Sequence, residues 1–548
     1  MRLPLFVSLR GYRRGSLRAD ITAGVLIVAI AIPLSMGMAE VAGMPPIAGL
    51  YSCVLPLVAY AALGSSRQLV IALDASTAAI VAATVGPLAA GDPARYAALV
   101  AGLALLAGAI LAIAGVAKLG AVADFLSEPV LLGYQAGLAI VVIASQLPRM
   151  LGVTVEADST LGLYASSVRS VSVADPATIA IAIEAMVVML VCRRWPRVPG
   201  PLLAVLAATL LVAAADLDVT VVGPLPSGFP AIGLPDLAMS DLGDLLPGAA
   251  AIALVAAADT LVSSRAFAAR NGYEVDANRD LIGLGAANLA SGGSGGVTVS
   301  ASAARTAVAE SVGSRSQLAG LAAAVLISLV LLVATGLLRD VPVAALAAVV
   351  TVAVLRLFEP RAALTLWRVR RAEFAIAMAA LAGVAVIGVL EGVVIAMALS
   401  LLDFLRRSSH PHDAVLGLLP GRIGFHDVAR VRGTRQVPGA LVYRFDAPLF
   451  YANAERFRSR VRTLTRRRDD LRIVVIEAST IPDIDVTAAR MLGELQEELA
   501  ERDIRLVVAE AVGSVRDLLV GDELKHDFVA GDMYDSVDQA LDSVEADD

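Results

Sequence analysis

Residues 291–298 read Ser-Gly-Gly-Ser-Gly-Gly-Val-Thr and interrupt a long row of apolar segments. A matching interruption lies earlier in the chain, where residues 65–68 read Ser-Ser-Arg-Gln and residues 74–77 read Asp-Ala-Ser-Thr. Both patterns predict an extended stretch that leads into a short helix. Non-helical backbone at membrane depth is tolerated only where protein or a water-filled cavity covers it. The alternative is that the glycine-serine run is an ordinary external loop.

Two short helices that begin near the middle of a membrane would direct free backbone N–H groups and positive dipole ends toward the same place. Such an arrangement can bind a small anion without dedicated side chains. The two interruptions occupy corresponding places in the two halves of the chain, which favours a binding site between them over an external loop.

The chain around these interruptions is too apolar for a soluble protein. Of its 548 residues, 57% are hydrophobic and only 17% are charged, and the mean hydropathy is +0.76. Apolar runs long enough to span a bilayer account for these values. We predict about fourteen segments, at residues 21–39, 44–63, 69–90, 96–117, 130–147, 178–191, 201–215, 245–262, 281–289, 301–312, 318–337, 341–355, 374–389 and 392–402.

The segments form two sets of seven on either side of the loop at residues 216–244. An odd number of crossings in each set turns the second set upside down, which is the inverted-repeat design of many secondary transporters. The predicted fold class is therefore a polytopic α-helical membrane protein with a 7+7 inverted repeat in its membrane part.

The distribution of basic residues predicts the orientation in the membrane. When the N-terminus is placed in the cytoplasm, most Lys and Arg residues fall inside, whereas the loop 216–244 falls outside and contains neither. We therefore predict a plasma-membrane protein with both termini in the cytoplasm. The residues that fall inside include Arg10, Arg13, Arg67, Arg197, Arg265, Arg270, Arg279 and Arg406. The exceptions are Arg95, Arg149, Arg169 and Arg339.

The end of the chain changes character, because charged residues become frequent after Arg406. Strands alternate there with helices, which predicts a cytoplasmic α/β domain with helices packed on a sheet. The predicted strands are residues 440–445, 472–477 and 504–510. The predicted domains are a cytoplasmic N-terminus at 1–18, a transmembrane domain at 19–406, a linker at 407–436 and the α/β domain at 437–548.

Sparse metal ligands and nucleophiles argue against an enzyme. The two cysteines, Cys53 and Cys192, form no CxxC pair, and all four histidines follow the membrane part. His410 and His412 could attract a metal, but so few ligands favour a linker. No nucleophile and base pair is visible. We expect no enzymatic activity, no metal, no cofactor and no nucleic-acid partner.

Four stretches are similar to a known family. They are Pro-Pro-Ile-Ala-Gly-Leu-Tyr at 45–51, Gly-Ser-Ser-Arg-Gln at 64–68, Asn-Gly-Tyr-Glu-Val-Asp-Ala-Asn-Arg-Asp-Leu at 271–281 and Phe-Tyr-Ala-Asn-Ala at 450–454. Because these stretches span nearly the whole chain, it resembles a sulfate permease (SulP) family anion transporter with a C-terminal STAS domain.

The resemblance implies a core domain, made of segments 1–4 and 8–11, and a gate domain, made of segments 5–7 and 12–14. It also implies an elevator-like movement of core against gate, a substrate between the third and tenth segments, and a homodimer. We expect secondary active transport of a small anion (sulfate, bicarbonate or a dicarboxylate) coupled to H⁺ or Na⁺. The alternatives are an anion-binding sensor that signals through the STAS domain, and a passive anion conductor.

The resemblance also implies roles for individual residues. Substrate contacts are expected from the first, third and tenth segments, at Leu34, Met38, Asp74, Ala75, Ser76, Ala303, Ala304 and Arg305. Ion coupling is expected in the eighth segment, at Asp259 and, one turn further, Ser263. The alternative for Asp259 is a structural role as the partner of Arg305 or Ser263.

Four positions depart from the family pattern. Leu34 stands where many members have Gln, and Ala72-Leu73 stand where many have Gly-Pro. Asp74 puts a carboxylate where an anion should bind, so either Arg305 neutralises it or it is protonated as the substrate enters. Arg305 could also contact the anion directly. The identity of the anion therefore does not follow from the resemblance.

Overall fold

The computed structural model describes residues 5–545 except for 10, 11, 13, 121–126, 156, 158, 196, 197, 230, 231, 467 and 521–531. The chain divides into two compact units, Met1–Ser400 and Leu401–Asp548. Arg10, Arg13 and Arg197, which the charge pattern places in the cytoplasm, lie outside the described residues.

The first unit is helical, as the apolar segments predict. In the described part of the chain, six helical spans are long and apolar enough to cross a membrane, and shorter helices accompany them. The helices are α1 (Leu17–Val41), α2 (Pro46–Tyr51), α3 (Leu55–Leu63), α4 (Ala75–Ala89), α5 (Pro93–Val116), α6 (Glu128–Leu151), α7 (Thr160–Arg169), α8 (Pro176–Cys192), α9 (Gly200–Ala215), α10 (Met239–Asn271), α11 (Ala277–Gly292), α12 (Ala303–Ser311), α13 (Leu318–Val333), α14 (Val343–Val354), α15 (Pro360–Val369), α16 (Arg371–Ala382) and α17 (Val389–Ser409).

The structure differs from the predicted segments in several places. The predicted segment 44–63, for example, is divided into α2 and α3. The apolar pattern does not predict α7 and α15, because both are short and mix polar with apolar residues. Helix α10 continues to Asn271, past the predicted segment end at residue 262. Hydropathy detects only the apolar part of such a helix, and the chain leaves it at Gly272, whose φ of +67° suits glycine.

Small residues let the helices of this unit approach closely. On α5, a Cβ atom at Gly108 would lie 2.8 Å from the carbonyl oxygen of Gly285 on α11. A Cβ atom at Gly285 would lie 2.7 Å from the carbonyl oxygen of Gly108. Such backbone approach is how membrane helices gain van der Waals contact where lipid removes the hydrophobic driving force. Helices α5 and α11 therefore pack with their backbones in contact.

The two interruptions in the sequence form a small antiparallel sheet. Strand β1 (Ile71–Ala72) pairs with β2 (Ser300–Ala301), and both strands are buried. Helix α4 begins soon after β1 and α12 soon after β2. The predicted extended stretch that leads into a short helix is confirmed in both places. The alternative, an ordinary external loop, is wrong.

Side chains from neighbouring helices satisfy the extended backbone. The Oδ1 atom of Asn288 accepts from the N–H of Val299, and its Nδ2 atom donates to the carbonyl oxygen of Val299, both at 2.9 Å. The Oγ1 atom of Thr306 accepts from the N–H of Val70 at 3.0 Å. Buried backbone groups without partners are costly, so these polar side chains allow strands to persist inside a membrane unit.

The second unit is a sheet covered by helices. Its described strands are β3 (Asp413–Leu418), β4 (Phe425–Asp427), β5 (Ala440–Phe445), β6 (Ile473–Glu477), β7 (Arg505–Ala509) and β8 (Met533–Tyr534). Its helices are α18 (Ala454–Thr465), α19 (Val486–Ala500), α20 (Gly513–Val520) and α21 (Val537–Glu545). The strand order is β4-β3-β5-β6-β7-β8, with β5 to β8 parallel and β3 antiparallel to both neighbours.

The predicted α/β architecture of this unit is confirmed. The predicted linker at 407–436, however, contains β3 and β4. Their apolar residues form short runs among glycines and charged residues, which hides the strand signal in the sequence. Strand β3 pairs with β5, and β4 pairs with β3, so pairing within the folded sheet rather than a local pattern makes them strands.

Candidate functional site

The predicted site residues come from helices that pack against one another. Helix α1 packs against both α4 and α12, and α10 packs against α4. The residues are distributed over these elements as Leu34 and Met38 on α1, Asp74, Ala75 and Ser76 at the start of α4, Asp259 and Ser263 on α10, and Ala303, Ala304 and Arg305 in the first turn of α12.

The N-terminal ends of α4 and α12 are open. The preceding residues, Asp74 and Ser302, have extended backbone, and neither side chain forms a well-aligned cap hydrogen bond, although the Asp74 carboxylate interacts with the N–H groups of Ala75 and Ser76. Ala303 and Ala304 are exposed and carry only methyl groups. The first N–H groups of a helix lack intrahelical partners and carry the positive end of its dipole. The end of α12 can therefore receive a negatively charged group, whereas at the end of α4 the Asp74 carboxylate competes for the same N–H groups.

A buried guanidinium lies on the first turn of α12. Arg305 is 1% exposed, and its Nη2 atom donates to Oγ of Ser35 at 3.0 Å. Its Nε and Nη1 atoms are buried and have no hydrogen-bond partner among the described residues. An uncompensated buried charge costs several kcal/mol, which a bound anion would offset.

The hypothesis that Arg305 neutralises Asp74 by a direct ion pair does not describe this structure. Within the described ranges, neither Asp74 nor Asp259 places a carboxylate oxygen within 4.0 Å of the guanidinium nitrogens. The charge on Arg305 therefore acts on these carboxylates only across a larger distance.

Ser35 is itself held by a neighbour on another element. Its Oγ atom lies 3.2 Å from Sγ of Cys53, in the turn between α2 and α3, and both side chains are buried. Ser35 and Cys53 thus fix the position of Arg305. The sequence contains no signal for this, because 270 positions separate Ser35 from Arg305.

Two carboxylates lie where α4 faces α10. Ser76 Oγ donates a long hydrogen bond of 3.4 Å to Oδ2 of Asp259, and both Asp74 and Asp259 are half-buried. The hydroxyl of Tyr134 on α6 is buried, has no partner among the described residues and interacts electrostatically with both carboxylates. Nothing in the spacing around Tyr134 predicts this role. Ser263, which was expected to assist Asp259, forms no hydrogen bond with it in the described structure.

An apolar wall completes the site. Leu34 packs against a buried cluster that contains Met38, Leu73 and Ala75. Leu34 and Leu73 are two of the departures from the family pattern; Leu34 replaces a polar side chain by hydrocarbon, and Leu73 adds a larger apolar side chain beside it. The hydrogen-bond donors that remain at this place are the backbone N–H groups and Arg305.

Gly49 of α2 allows α2 to touch α1 at Ser35. A Cβ atom at Gly49 would overlap the carbonyl group of Ser35 and lie 3.1 Å from the backbone nitrogen of Met36. We expect Gly49→Ala to push α1 away, to displace Ser35 and to destabilise the protein by about 1–3 kcal/mol. Thermal unfolding of the purified protein measures this effect.

Gly86→Ala on α4 is the matched control for Gly49→Ala. No atom lies within 4 Å of a Cβ atom built at Gly86, and alanine favours a helix over glycine by roughly 0.5–1 kcal/mol. The melting temperature of Gly86→Ala should therefore be unchanged or slightly higher. Equal melting temperatures for the two variants would contradict the close packing of α2 on α1.

Comparison with known proteins identifies relatives of the whole chain. Residues 17–380 match the model of the sulfate permease family, and residues 433–540 match that of the STAS domain. A protein of Mycobacterium tuberculosis (strain CDC 1551 / Oshkosh) named "probable sulfate transporter" is 44% identical over 521 residues. The aligned region covers 94% of this chain and 93% of that protein.

Two solved structures share the fold. The structure of SLC26A9 matches with a TM-score of 0.92 at 19% sequence identity, over 99% of this chain and 93% of that chain. The transmembrane domain of the cyanobacterium bicarbonate transporter BicA matches with a TM-score of 0.62 at 23% identity, over 71% of this chain and 98% of that chain. The predicted fold class, a helical membrane domain followed by a STAS domain, is confirmed.

Proposed function

The chain belongs to the sulfate permease family of membrane transporters, and we propose on that premise that it is a secondary active transporter of a small oxyanion, with sulfate as the first candidate. The observation that carries this proposal is the buried guanidinium of Arg305, which has two unpartnered nitrogens and stands on an open helix end. The name of the Mycobacterium relative supports sulfate. Bicarbonate and dicarboxylates are the competing substrates.

The binding step follows from the donors that are free. An anion between the ends of α4 and α12 accepts from first-turn N–H groups of both helices. It also accepts from Nε and Nη1 of Arg305, since Nη2 is engaged with Ser35. Charge-assisted bonds of this kind are roughly twice as strong as neutral ones. The leucines of the apolar wall supply no competing acceptors.

The charges of the site support coupling to a cation. Asp74, Asp259 and Arg305 together carry a net charge of −1 when all are ionised, and a divalent anion adds two further negative charges. Such an excess is unfavourable in a poorly hydrated site. H⁺ or Na⁺ at Asp259, with the Ser76 hydroxyl beside it, lowers that excess. We therefore assign Asp259 to ion coupling and Asp74 to a second cation or to an electrostatic barrier.

An elevator-like movement is the proposed transport step. The core, segments 1–4 and 8–11, carries Asp74, Asp259 and Arg305, whereas Tyr134 lies on α6 of the gate. The hydroxyl of Tyr134 has no hydrogen-bond partner among the described residues. A movement of the core past α6 therefore breaks no hydrogen bond at this point of the interface.

We further propose a plasma-membrane location, cytoplasmic termini and a homodimer. The loop at 216–244, without Lys or Arg, supports the orientation. The homodimer rests on the resemblance to the family. Crosslinking in membranes, with cysteines introduced on a cysteine-free background, tests the oligomeric state.

Flux into proteoliposomes tests the transport proposal. Sulfate, bicarbonate and a C4-dicarboxylate are offered in turn, and pH and Na⁺ gradients are imposed separately. We expect saturable uptake of sulfate that one of the two gradients drives. Flux that does not saturate and does not depend on either gradient would identify a passive conductor. Anion binding without flux would identify a sensor.

A further inference from the structure

A charged cavity lies at the C-terminal end of α12, away from the N-terminal ends of α4 and α12. It has a volume of about 70 Å³ and is lined by Arg67, Gln68, Asn271, Tyr273 and Arg315. These residues stand at the connections between α3 and β1, α10 and α11, and α12 and α13. The charge pattern places these connections on the cytoplasmic side. None of the residues assigned to transport lines this cavity.

Two guanidinium groups share the cavity without a carboxylate partner. Among the described residues, no carboxylate oxygen lies within 4.0 Å of the guanidinium nitrogens of Arg67 or Arg315. Arg67 lies over the ring of Tyr273, with its Cζ atom 5.3 Å from the ring centroid. Glu310, an acid nearby, already accepts from Nδ2 of Asn271 at 2.6 Å. Both arginine side chains are exposed, and an anion between them would be attracted by both positive charges.

Buried carboxylates hold both arginine-bearing loops in place. Asp280 Oδ1 accepts from the N–H groups of Ser65 at 2.8 Å and Ser66 at 3.1 Å. Asp20 Oδ1 accepts from the N–H of Arg315 at 3.0 Å. A site built on fixed backbone loses little conformational entropy when a ligand binds. The cavity is therefore preorganised.

The arginines are not needed as helix caps. Basic residues after a helix often satisfy its last carbonyl groups, but other donors do so here. Arg279 Nε donates to the carbonyl oxygen of Leu63 at the end of α3, at 2.9 Å. The N–H of Ser314 donates to the carbonyl oxygen of Ala309 near the end of α12, at 3.1 Å. Both guanidinium groups of the cavity are therefore available to a ligand.

Gln68 lines this cavity and carries a buried acceptor without a partner among the described residues. Its side chain is 4% exposed, and Nε2 donates to the carbonyl oxygen of Ser314 at 2.6 Å. Because a carbonyl oxygen only accepts, the amide nitrogen must face Ser314. The Oε1 atom is left buried without a donor. Two cationic groups beside one buried acceptor suit an anion that still carries a proton.

We propose that this cavity binds a phosphate group that retains one proton, at a site distinct from the transport site and beyond the function proposed above. The guanidinium groups hold the ionised oxygens, and the P–OH group donates to Oε1 of Gln68. Sulfate has no proton to donate near neutral pH. A water needs about 10–15 Å³ of such volume, so the cavity holds roughly five to seven small groups, enough for one phosphate group. Free phosphate and a lipid headgroup with a terminal phosphate share this chemistry.

Binding of inorganic phosphate to the full-length protein in phosphatidylcholine nanodiscs tests the proposal. The change is Arg315→Gln, alone and combined with Arg67→Gln, and the matched control is Arg339→Gln, which removes an exposed arginine elsewhere. We expect the wild type and Arg339→Gln to bind phosphate equally well. Arg315→Gln should weaken phosphate binding about tenfold or more, because a charge-assisted hydrogen bond is lost. Sulfate binding at the transport site should not change.

Equal phosphate affinity in Arg315→Gln and Arg339→Gln would overturn the proposal. If the double variant does not fold, Arg315→Gln alone decides, because this side chain is exposed. Nanodiscs that contain phosphatidic acid distinguish the two sources of the phosphate group. If binding of free phosphate falls in these nanodiscs, the lipid headgroup occupies the site. If binding of free phosphate is unchanged, the site binds the free ion. Wild-type protein that binds phosphate but no sulfate would contradict sulfate as the transported anion and leave this site standing.

Discussion

Uptake of sulfate into proteoliposomes is expected to fall at least about a hundredfold when Arg305 is replaced by glutamine. The two unpartnered guanidinium nitrogens are the strongest donors of the proposed site. A hydrogen bond to a charged group contributes about 1.5–3 kcal/mol, and each 1.4 kcal/mol is tenfold in affinity. Two such bonds account for a hundredfold loss or more, while the N–H groups of α4 and α12 remain.

The stability of this variant separates a binding role from a structural one. Without a bound anion, Arg305→Gln removes a buried charge that lacks a close carboxylate, so the melting temperature should stay equal or rise. A structural arginine would give the opposite sign, since its loss leaves partners unsatisfied. Arg339→Gln is the control, because Arg339 is exposed and pairs with Asp340 at 3.2 Å. Wild-type uptake in Arg305→Gln, or a marked fall in its melting temperature, would contradict the assignment.

The broken segments were predictable because their composition changes abruptly. Residues 291–298 are rich in glycine and serine between apolar runs, and only covered backbone can be irregular at that depth. Helices α7 and α15 were not predictable in the same way, because their polarity gives no membrane-length apolar run. Strand β3 depends on pairing with β5, and β4 depends on pairing with β3; neither shows a clear strand pattern in its own sequence.

The candidate site was predictable in its charged members and not in their supports. Asp259 and Arg305 attract attention because charge inside a membrane segment is costly. Ser35, Cys53 and Tyr134 are ordinary residues in apolar segments, and only the fold brings them to the charges. The direct ion pair between Arg305 and a carboxylate was a reasonable hypothesis from charge alone, but distance in the fold decides such pairs.

Gradient-driven accumulation of sulfate is expected to collapse when Asp259 is replaced by asparagine. The amide can still accept the hydrogen bond from Ser76, so folding should be retained. It cannot, however, take up a proton or supply a negative charge to Na⁺. A tenfold difference in cation concentration across the membrane supplies about 1.4 kcal/mol for each coupled cation. Loss of one coupled cation therefore lowers the ratio of internal to external sulfate about tenfold for each tenfold difference in cation concentration.

Asp244→Asn is the matched control for Asp259→Asn, because Asp244 lies on the same helix and is exposed. Its uptake should remain coupled. With Asp259 neutral, the ionised site is uncharged overall, so exchange of sulfate across the membrane without any gradient should continue in Asp259→Asn. Coupled uptake at the wild-type level would refute the role of Asp259, whereas loss of exchange as well would make Asp259 part of the anion site. We expect Asp259→Asn to lose gradient-driven uptake and to keep exchange. The reason is the charge balance of the site: only the carboxylates of Asp74 and Asp259 can bind a cation, whereas Arg305 can still bind the anion.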